Sequence, residues 1–389
     1  METERLVTRC CVLGALSFLL CGPVLTWPAV GQEPDSVAAA DSLLLEIQRR
    51  MGAFEATDER PASAVRTRPT TNPDISVIGD IRGMYVSEGD RNVDMEVHEV
   101  ETAFKSVVDP FARADVYVSA HNEDGEIHFE LEEAYLTTLA LPAGLQIRAG
   151  KFRSTVGKLN RIHPHALPFP DMPSVYENFF GHEGLNDQGV GLSWLLPNSR
   201  FYQELTVEVT RGPGENPSFE ASHENRLLYV GHLKNFWDLS RDATIELGAT
   251  AISGPNAAGH ETFIGGFDAT FIWKPVRFNT YHSLLLQAEA LFSRMDTGDE
   301  EIATNGFYAL ANWQLSQRWF LIGRFDHADI PDDAGWNENG LTAAVALYLT
   351  EFQKFELGFR RSWADHFDAV HSGVLRIIFV IGTHGAHEY

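Results

Sequence analysis

From Asn72 onward, apolar and polar residues alternate with a period of two. That is the repeat of a strand whose two faces meet different surroundings. In 244–252, Ile245, Leu247, Ala249 and Ala251 share one face, while Thr244, Glu246, Gly248 and Thr250 share the other. In 263–273, Phe263, Phe267, Ala269, Phe271 and Trp273 stand opposite Asp268 and Thr270. In 283–293, Leu284, Leu286, Ala288, Ala290 and Phe292 stand opposite Gln287 and Glu289. Sixteen segments carry the pattern: 75–85, 95–108, 111–120, 126–139, 144–152, 187–196, 201–211, 225–236, 243–253, 262–274, 281–294, 303–315, 318–327, 339–349, 353–363 and 370–382. Most reach the roughly 9–11 residues that a tilted strand needs to cross a bilayer. Strands of soluble proteins more often stop at about 5–6.

The connections differ in length. Tight ones at 109–110, 141–144, 196–199, 238–240, 315–317 and 350–351 alternate with longer polar ones at 86–94, 153–186, 212–224, 254–261, 295–302, 328–338 and 364–369. Short turns on one side and long loops on the other mark a membrane barrel. The tryptophans agree: Trp194, Trp237, Trp273, Trp313 and Trp319 flank the short-turn side, and Trp336 and Trp363 the long-loop side. Indoles favour the interface, where the ring meets lipid and its N–H stays wet. In hydrocarbon every backbone N–H and C=O must be paired within the protein, so a spanning sheet must close. The expected fold is all-β, a 16-stranded antiparallel transmembrane β-barrel over 73–389 with a water-filled lumen.

The first 72 residues are different. A basic start (Arg5, Arg9), an uncharged run from Cys10 to Val30 and Ala29-Val30-Gly31 read as a signal peptide over 1–31. The alternative of a transmembrane anchor fits Pro23, Pro28 and the small-residue exit poorly. All three cysteines, Cys10, Cys11 and Cys21, fall in that segment, so the mature chain is expected to lack thiol chemistry. Residues 32–72 are expected to be a periplasmic helix and linker. Leu44, Ile47, Met51 and Phe54 give one apolar stripe after Asp41, followed by a Pro-containing stretch.

With 30 Lys plus Arg against 54 Asp plus Glu among 389 residues, the formal charge is −24. That balance opposes nucleic-acid binding, which needs clustered cations. No nucleophile elbow, phosphate loop or zincin motif is present, so no enzymatic role and no cofactor are expected.

Parity assigns Arg113, Asp115, Arg148, Glu208, His232, Lys234, Glu246, Gln287, Glu289, Arg324, Asp326, Arg360 and Arg376 to the lumen. Both signs occur, as on the wall of a channel for polar solutes. Glu132 and Glu133 are adjacent, so one must lie at a rim or bulge. The connection 153–186 is the longest and is expected to fold inward and narrow the pore. It brings Arg153, Lys158 and Arg161, and Lys151 precedes it. Pro164, Pro168, Pro170 and Pro173 predict a rigid path. His163, His165 and His182 are weak metal candidates, because two or three histidines do not complete a site.

Gly150-Lys151-Phe152 followed by Gly157 and Asn160, with 187–192 (DQGVGL) as the exit, resembles the phosphate-selective porin family, porins O and P. The resemblance implies an outer-membrane porin of a Gram-negative-type bacterium. Such a protein is a passive channel for small hydrophilic or ionic solutes, surrounded by lipid, inserted by the barrel-assembly machinery and forming a homotrimer. The dense Arg and Lys array of the named members is not evident, so phosphate selectivity does not carry over. The chain also continues beyond its last strand with THGAHEY. The readings set against a porin are an energy-coupled nutrient or metal receptor, and a secreted soluble β-rich binding protein. Such receptors have about 22 strands and a plugged lumen.

Overall fold

The computed structural model describes residues 73–88, 92–123, 126–198, 200–214, 216–220, 226–365 and 367–382. The signal peptide, the segment 32–72 and the THGAHEY tail lie outside the described residues.

Sixteen antiparallel strands form a closed barrel in which each pairs with its sequence neighbours and β1 pairs with β16. They are β1 (Asp74–Val86), β2 (Val93–Asp109), β3 (Ala112–Glu123), β4 (Glu126–Thr138), β5 (Leu145–Arg153), β6 (Asn186–Leu195), β7 (Tyr202–Thr210), β8 (Leu228–Asp238), β9 (Ala243–Pro255), β10 (Glu261–Trp273), β11 (Ser283–Asp296), β12 (Glu301–Gln314), β13 (Trp319–Ile330), β14 (Asp333–Thr350), β15 (Gln353–Ala364) and β16 (Phe367–Gly382). Closure removes both sheet edges, so the backbone ladder is complete all the way round.

The outer face is apolar. Val190, Leu192, Val207, Leu247, Phe267, Leu286, Phe292, Phe307, Leu321, Leu357, Phe359 and Leu375 are exposed around the circumference. Water does not tolerate so continuous an apolar belt, whereas lipid requires one. Trp194, Trp273, Trp313 and Trp319 are exposed at the short-turn end, and Trp336 at the other.

Local chemistry sets the turns. Asp109 Oδ1 accepts from the backbone N–H of Phe111 (2.8 Å) and Ala112 (2.9 Å), closing β2 onto β3. The opposite end departs from expectation. The connections there are mostly tight: only 331–332 separates β13 from β14, and 365–366 separates β15 from β16. The polar residues read as loops continue the strand ladder. Two long connections remain, 154–185 and 211–227.

Register shifts where Tyr117 faces Glu133 and Val118 faces Leu131, so Glu132 is a bulge residue. Both Glu132 and Glu133 are buried. Neither takes the rim alternative; the bulge lets two consecutive carboxylates reach the interior.

Candidate functional site: the inward loop and the inner wall

The loop 154–185 folds into the barrel. Its lead-in depends on two glycines. Gly150 has φ +141°, and a Cβ there would collide with the Ala134 carbonyl of β4. Gly157 has φ +50°, and a Cβ there would strike the Glu289 carboxylate and the Tyr176 hydroxyl. Both conformations are costly for any residue with a side chain.

From there the loop is tied to the wall at successive points. Thr155 donates through N and Oγ1 to Glu208 (3.0 and 2.8 Å), which also accepts from Arg148 Nη2 at 2.8 Å. Lys158 N donates to Glu289 Oε1 (3.0 Å), and its Nζ to Glu246 Oε1 (2.9 Å). The Pro164 carbonyl accepts from Arg376 Nη2 at 2.9 Å, and the Leu167 carbonyl from Lys354 Nζ at 3.1 Å. Asp171 takes Arg324 at 2.6 Å and Arg360 at 2.7 Å. A short helix, α1 (Ser174–Phe180), follows. Ser174 donates through N and Oγ to Asp326 Oδ1, and Tyr176 Oη to Glu289 Oε2 at 2.5 Å.

The loop also carries its own apolar core. Val156, Leu159, Phe169, Val175, Tyr176, Phe179 and Phe180 are buried against Val230, Ile252, Ile264, Leu291, Leu310, Ile322 and Ala344 of β8–β14. The inner wall is therefore not polar throughout. Ile264 shares its inward face with Asp268, and Leu291 with Glu289. The loop covers this apolar arc, which removes it from water.

This geometry separates the sequence-predicted luminal residues into two groups. Arg153, Glu208, Glu289, Arg324, Asp326 and Arg376 are at most 1% exposed, apart from Glu289 at 3%. They hold the loop to the wall or brace the wall itself. Arg376 pairs with Asp80 at 2.7 Å, and Arg324 Nε with Asp326 at 3.0 Å. Arg360 joins them by bridging Asp171, Asp326 and Glu338. The other group keeps contact with solvent: Arg113, Arg148, Lys158, Arg161 and Lys234, of which Arg113, Arg148, Lys158 and Lys234 pair with the buried carboxylates Asp115, Glu208 and Glu246. Arg161 is exposed and acts electrostatically on both Tyr135 and His232. His232 also feels Lys158, Lys234 and Glu246, and Tyr135 feels Arg148 and Asp115, so these groups surround one region. Lys151 is elsewhere, with its Nζ on Glu130 Oε1 (3.0 Å) and the Leu131 carbonyl (2.7 Å).

The weak metal candidates also separate. His163 Nδ1 lies 2.7 Å from Glu101 and 3.1 Å from Glu132, and its Nε2 lies 2.8 Å from Glu133. Burial disfavours its charge, but Glu101, Glu132 and Glu133 override that and hold the imidazole pKa well above its ordinary value. His165 joins this cluster, while His182 sits apart, edge-on to His98. The carboxylates Glu99, Glu101, Glu132 and Glu133, absent from the predicted set, are the main omission. The double Glu at 132–133 is the one signal that pointed to them.

No family model matches the chain. An uncharacterized protein of Aquifex aeolicus (strain VF5) is 30% identical over 329 residues, covering 72% of this chain and 67% of that one. Among solved structures, the anion-selective porin from Comamonas acidovorans has a TM-score of 0.57 at 9% identity, covering 79% of this chain and 100% of its own. OmpF of Salmonella typhi, in complex with daunomycin, has a TM-score of 0.55 at 10% identity, with 80% and 98% covered. The outer membrane channel DcaP of Acinetobacter baumannii has a TM-score of 0.54 at 9% identity, with 80% and 98% covered. At these identities the likeness establishes the barrel fold.

Proposed function

We propose a porin function for this chain, which belongs to the same family as the uncharacterized Aquifex aeolicus protein. It sits in the outer membrane of a Gram-negative-type bacterium and provides passive diffusion for small hydrophilic or ionic solutes. It carries out no catalytic step. The observation that carries this reading is the pairing of a closed 16-strand barrel, apolar outside, with an inward loop fixed to the inner wall. Beside that loop, Arg113, Arg148, Lys158, Arg161 and Lys234 remain open to solvent. Ions then pass between the loop and the uncovered wall, where alternating charges replace part of their hydration.

The protein assembles as a homotrimer, inserted by the barrel-assembly machinery. The solved barrels it resembles include one described as a trimer form, OmpT of Vibrio cholerae. A relation to the phosphate-selective porins O and P rests on the stretch from Gly150 to Asn160. Within it Gly150 and Gly157 serve loop geometry and Lys151 is held by Glu130, so phosphate preference has no support in these residues.

Reconstitution into planar bilayers tests the function. Stepwise, voltage-independent conductance is expected. A correctly folded barrel that inserts and stays electrically silent would overturn the reading.

A further inference from the structure

Where the inward loop meets β2 and β4, six side chains converge. Glu99 and Glu101 stand two residues apart on the inner face of β2, and Glu132 and Glu133 share the β4 bulge. His163 and His165 come from the loop. All six are at least nine-tenths buried. Burying four carboxylates is very unfavourable without opposing charge. Arg153 supplies one cation, 3.4 Å from Glu132, and divides it with Glu183, also at 3.4 Å. Arg82 and Arg376 act on Glu99 from farther off, and both are bonded to Asp80.

Hydrogen bonding does not resolve the cluster. His163 Nδ1 faces Glu101 Oε2 at 2.7 Å and Glu132 Oε2 at 3.1 Å, and one N–H cannot serve both fully. Glu101 Oε1 accepts no hydrogen bond among the described residues, and Oε2 has His163 Nδ1 at 2.7 Å, although both oxygens are buried. Glu101 Oε2 lies between two imidazole nitrogens, with His165 Nδ1 at 3.7 Å and Glu99 Oε2 3.9 Å from that same nitrogen. In each of the two triads, Glu99–Glu101–His165 and Glu101–Glu132–His163, the donor atoms lie within 4.8 Å of one another. Metal–ligand bonds of about 2.0–2.2 Å place neighbouring donors roughly 3–4 Å apart, which the 3.7 and 3.9 Å distances of the His165 triad match.

We infer that the triad Glu99–Glu101–His165 binds one divalent transition-metal cation, with His165 as the nitrogen donor and Glu99 and Glu101 as the carboxylate ligands. Imidazole together with carboxylate selects the zinc class over magnesium or calcium. A divalent cation also adds positive charge among the buried carboxylates. The short turn at 164–166 fixes the spacing of the two rings, whose centroids are 5.7 Å apart. The ion staples the loop to β2. The site is independent of whether the barrel conducts.

The test uses the full chain folded in detergent, stripped with EDTA, dialysed and titrated with Co²⁺. About one tightly held Co²⁺ per chain is expected, with the visible d–d absorption of a nitrogen- and oxygen-ligated ion, displaced by Zn²⁺. Glu101→Gln and His165→Asn each weaken binding at least about tenfold. His182→Asn, on the same loop but outside the cluster, leaves binding unchanged. Wild-type protein without that absorption overturns the inference. So does uptake that His165→Asn leaves undiminished, a variant that keeps all four carboxylates and decides the matter even if Glu101→Gln does not fold.

Discussion

Arg324 Nη2 on β13 lies 2.6 Å from Asp171 Oδ2 in the inward loop, 153 residues away in sequence. The guanidinium is wholly buried, and its Nε also bonds Asp326 at 3.0 Å. Arg324→Ala leaves Asp326 buried with less compensation and removes an anchor of the loop. A loss of about 3–5 kcal/mol is expected. Asp171→Asn keeps the Arg324–Asp326 pair and costs less, about 1–3 kcal/mol. Denaturant unfolding of the detergent-folded barrel checks both; equal losses would contradict the anchoring role of Arg324.

Gly157 is the point at which the loop passes Glu289. Gly157→Ala imposes a left-handed conformation on a residue with a side chain and presses its Cβ on the Glu289 carboxylate and the Tyr176 hydroxyl. The backbone contribution alone is about 1–3 kcal/mol. Tyr176→Phe deletes only the hydroxyl that donates to Glu289, for a loss of roughly 1.5–3 kcal/mol. Glu289 keeps its bonds from Tyr308 Oη and Lys158 N. The alanine variant is expected to perturb single-channel conductance as well, and the phenylalanine variant mainly stability.

Glu177 on α1 is expected to give the proposed channel a pH response. Desolvation by its surroundings, with the nearby negative Asp171, pushes its carboxyl pKa up to about 7 from 4.5. A raised folded-state value means that the stabilising contribution is complete below 4.5 and is lost as pH rises through about 7. The same titration adds a negative charge beside Asp171. Reversal potentials in a salt gradient should therefore shift toward cations between pH values well below and well above 7. Glu177→Gln should abolish that shift; a variant with an unchanged pH profile would exclude Glu177 as its source.

Arg148→Ala removes the cation paired with buried Glu208 at 2.8 Å and partly open to solvent. The reversal potential should move toward cations. Lys151→Ala should move it the same way by less, because its ammonium is held by Glu130 and the Leu131 carbonyl, away from the region around Arg148 and Arg161. An unchanged potential in Arg148→Ala would remove that residue from the ion path.

Particular residues show how far the sequence could be read. Thr244 to Ile252 reads directly as a barrel strand, because a two-residue repeat records oil on one side and something else on the other. The loop boundaries were also legible, since Arg153 and Asn186 end the flanking strands. The tight hairpins at 331–332 and 365–366 were not, because ladder pairing extends past the membrane, where no apolar repeat marks it. Ile264 and Leu291 look like interruptions of polar faces. They become sensible only once the loop is seen lying over them.

The sequence by itself determined the sheet, its closure and the facing of most side chains outside the bulges, because strand parity is a local property and lipid imposes it along the strand. Tertiary structure decided which inward charges meet water and which hold the loop. Asp80 reaches Arg376 across 296 residues, and Thr155 reaches Glu208 across 53. Pairings so distant depend on how the barrel closes and where the loop descends, and a local repeat carries no record of either.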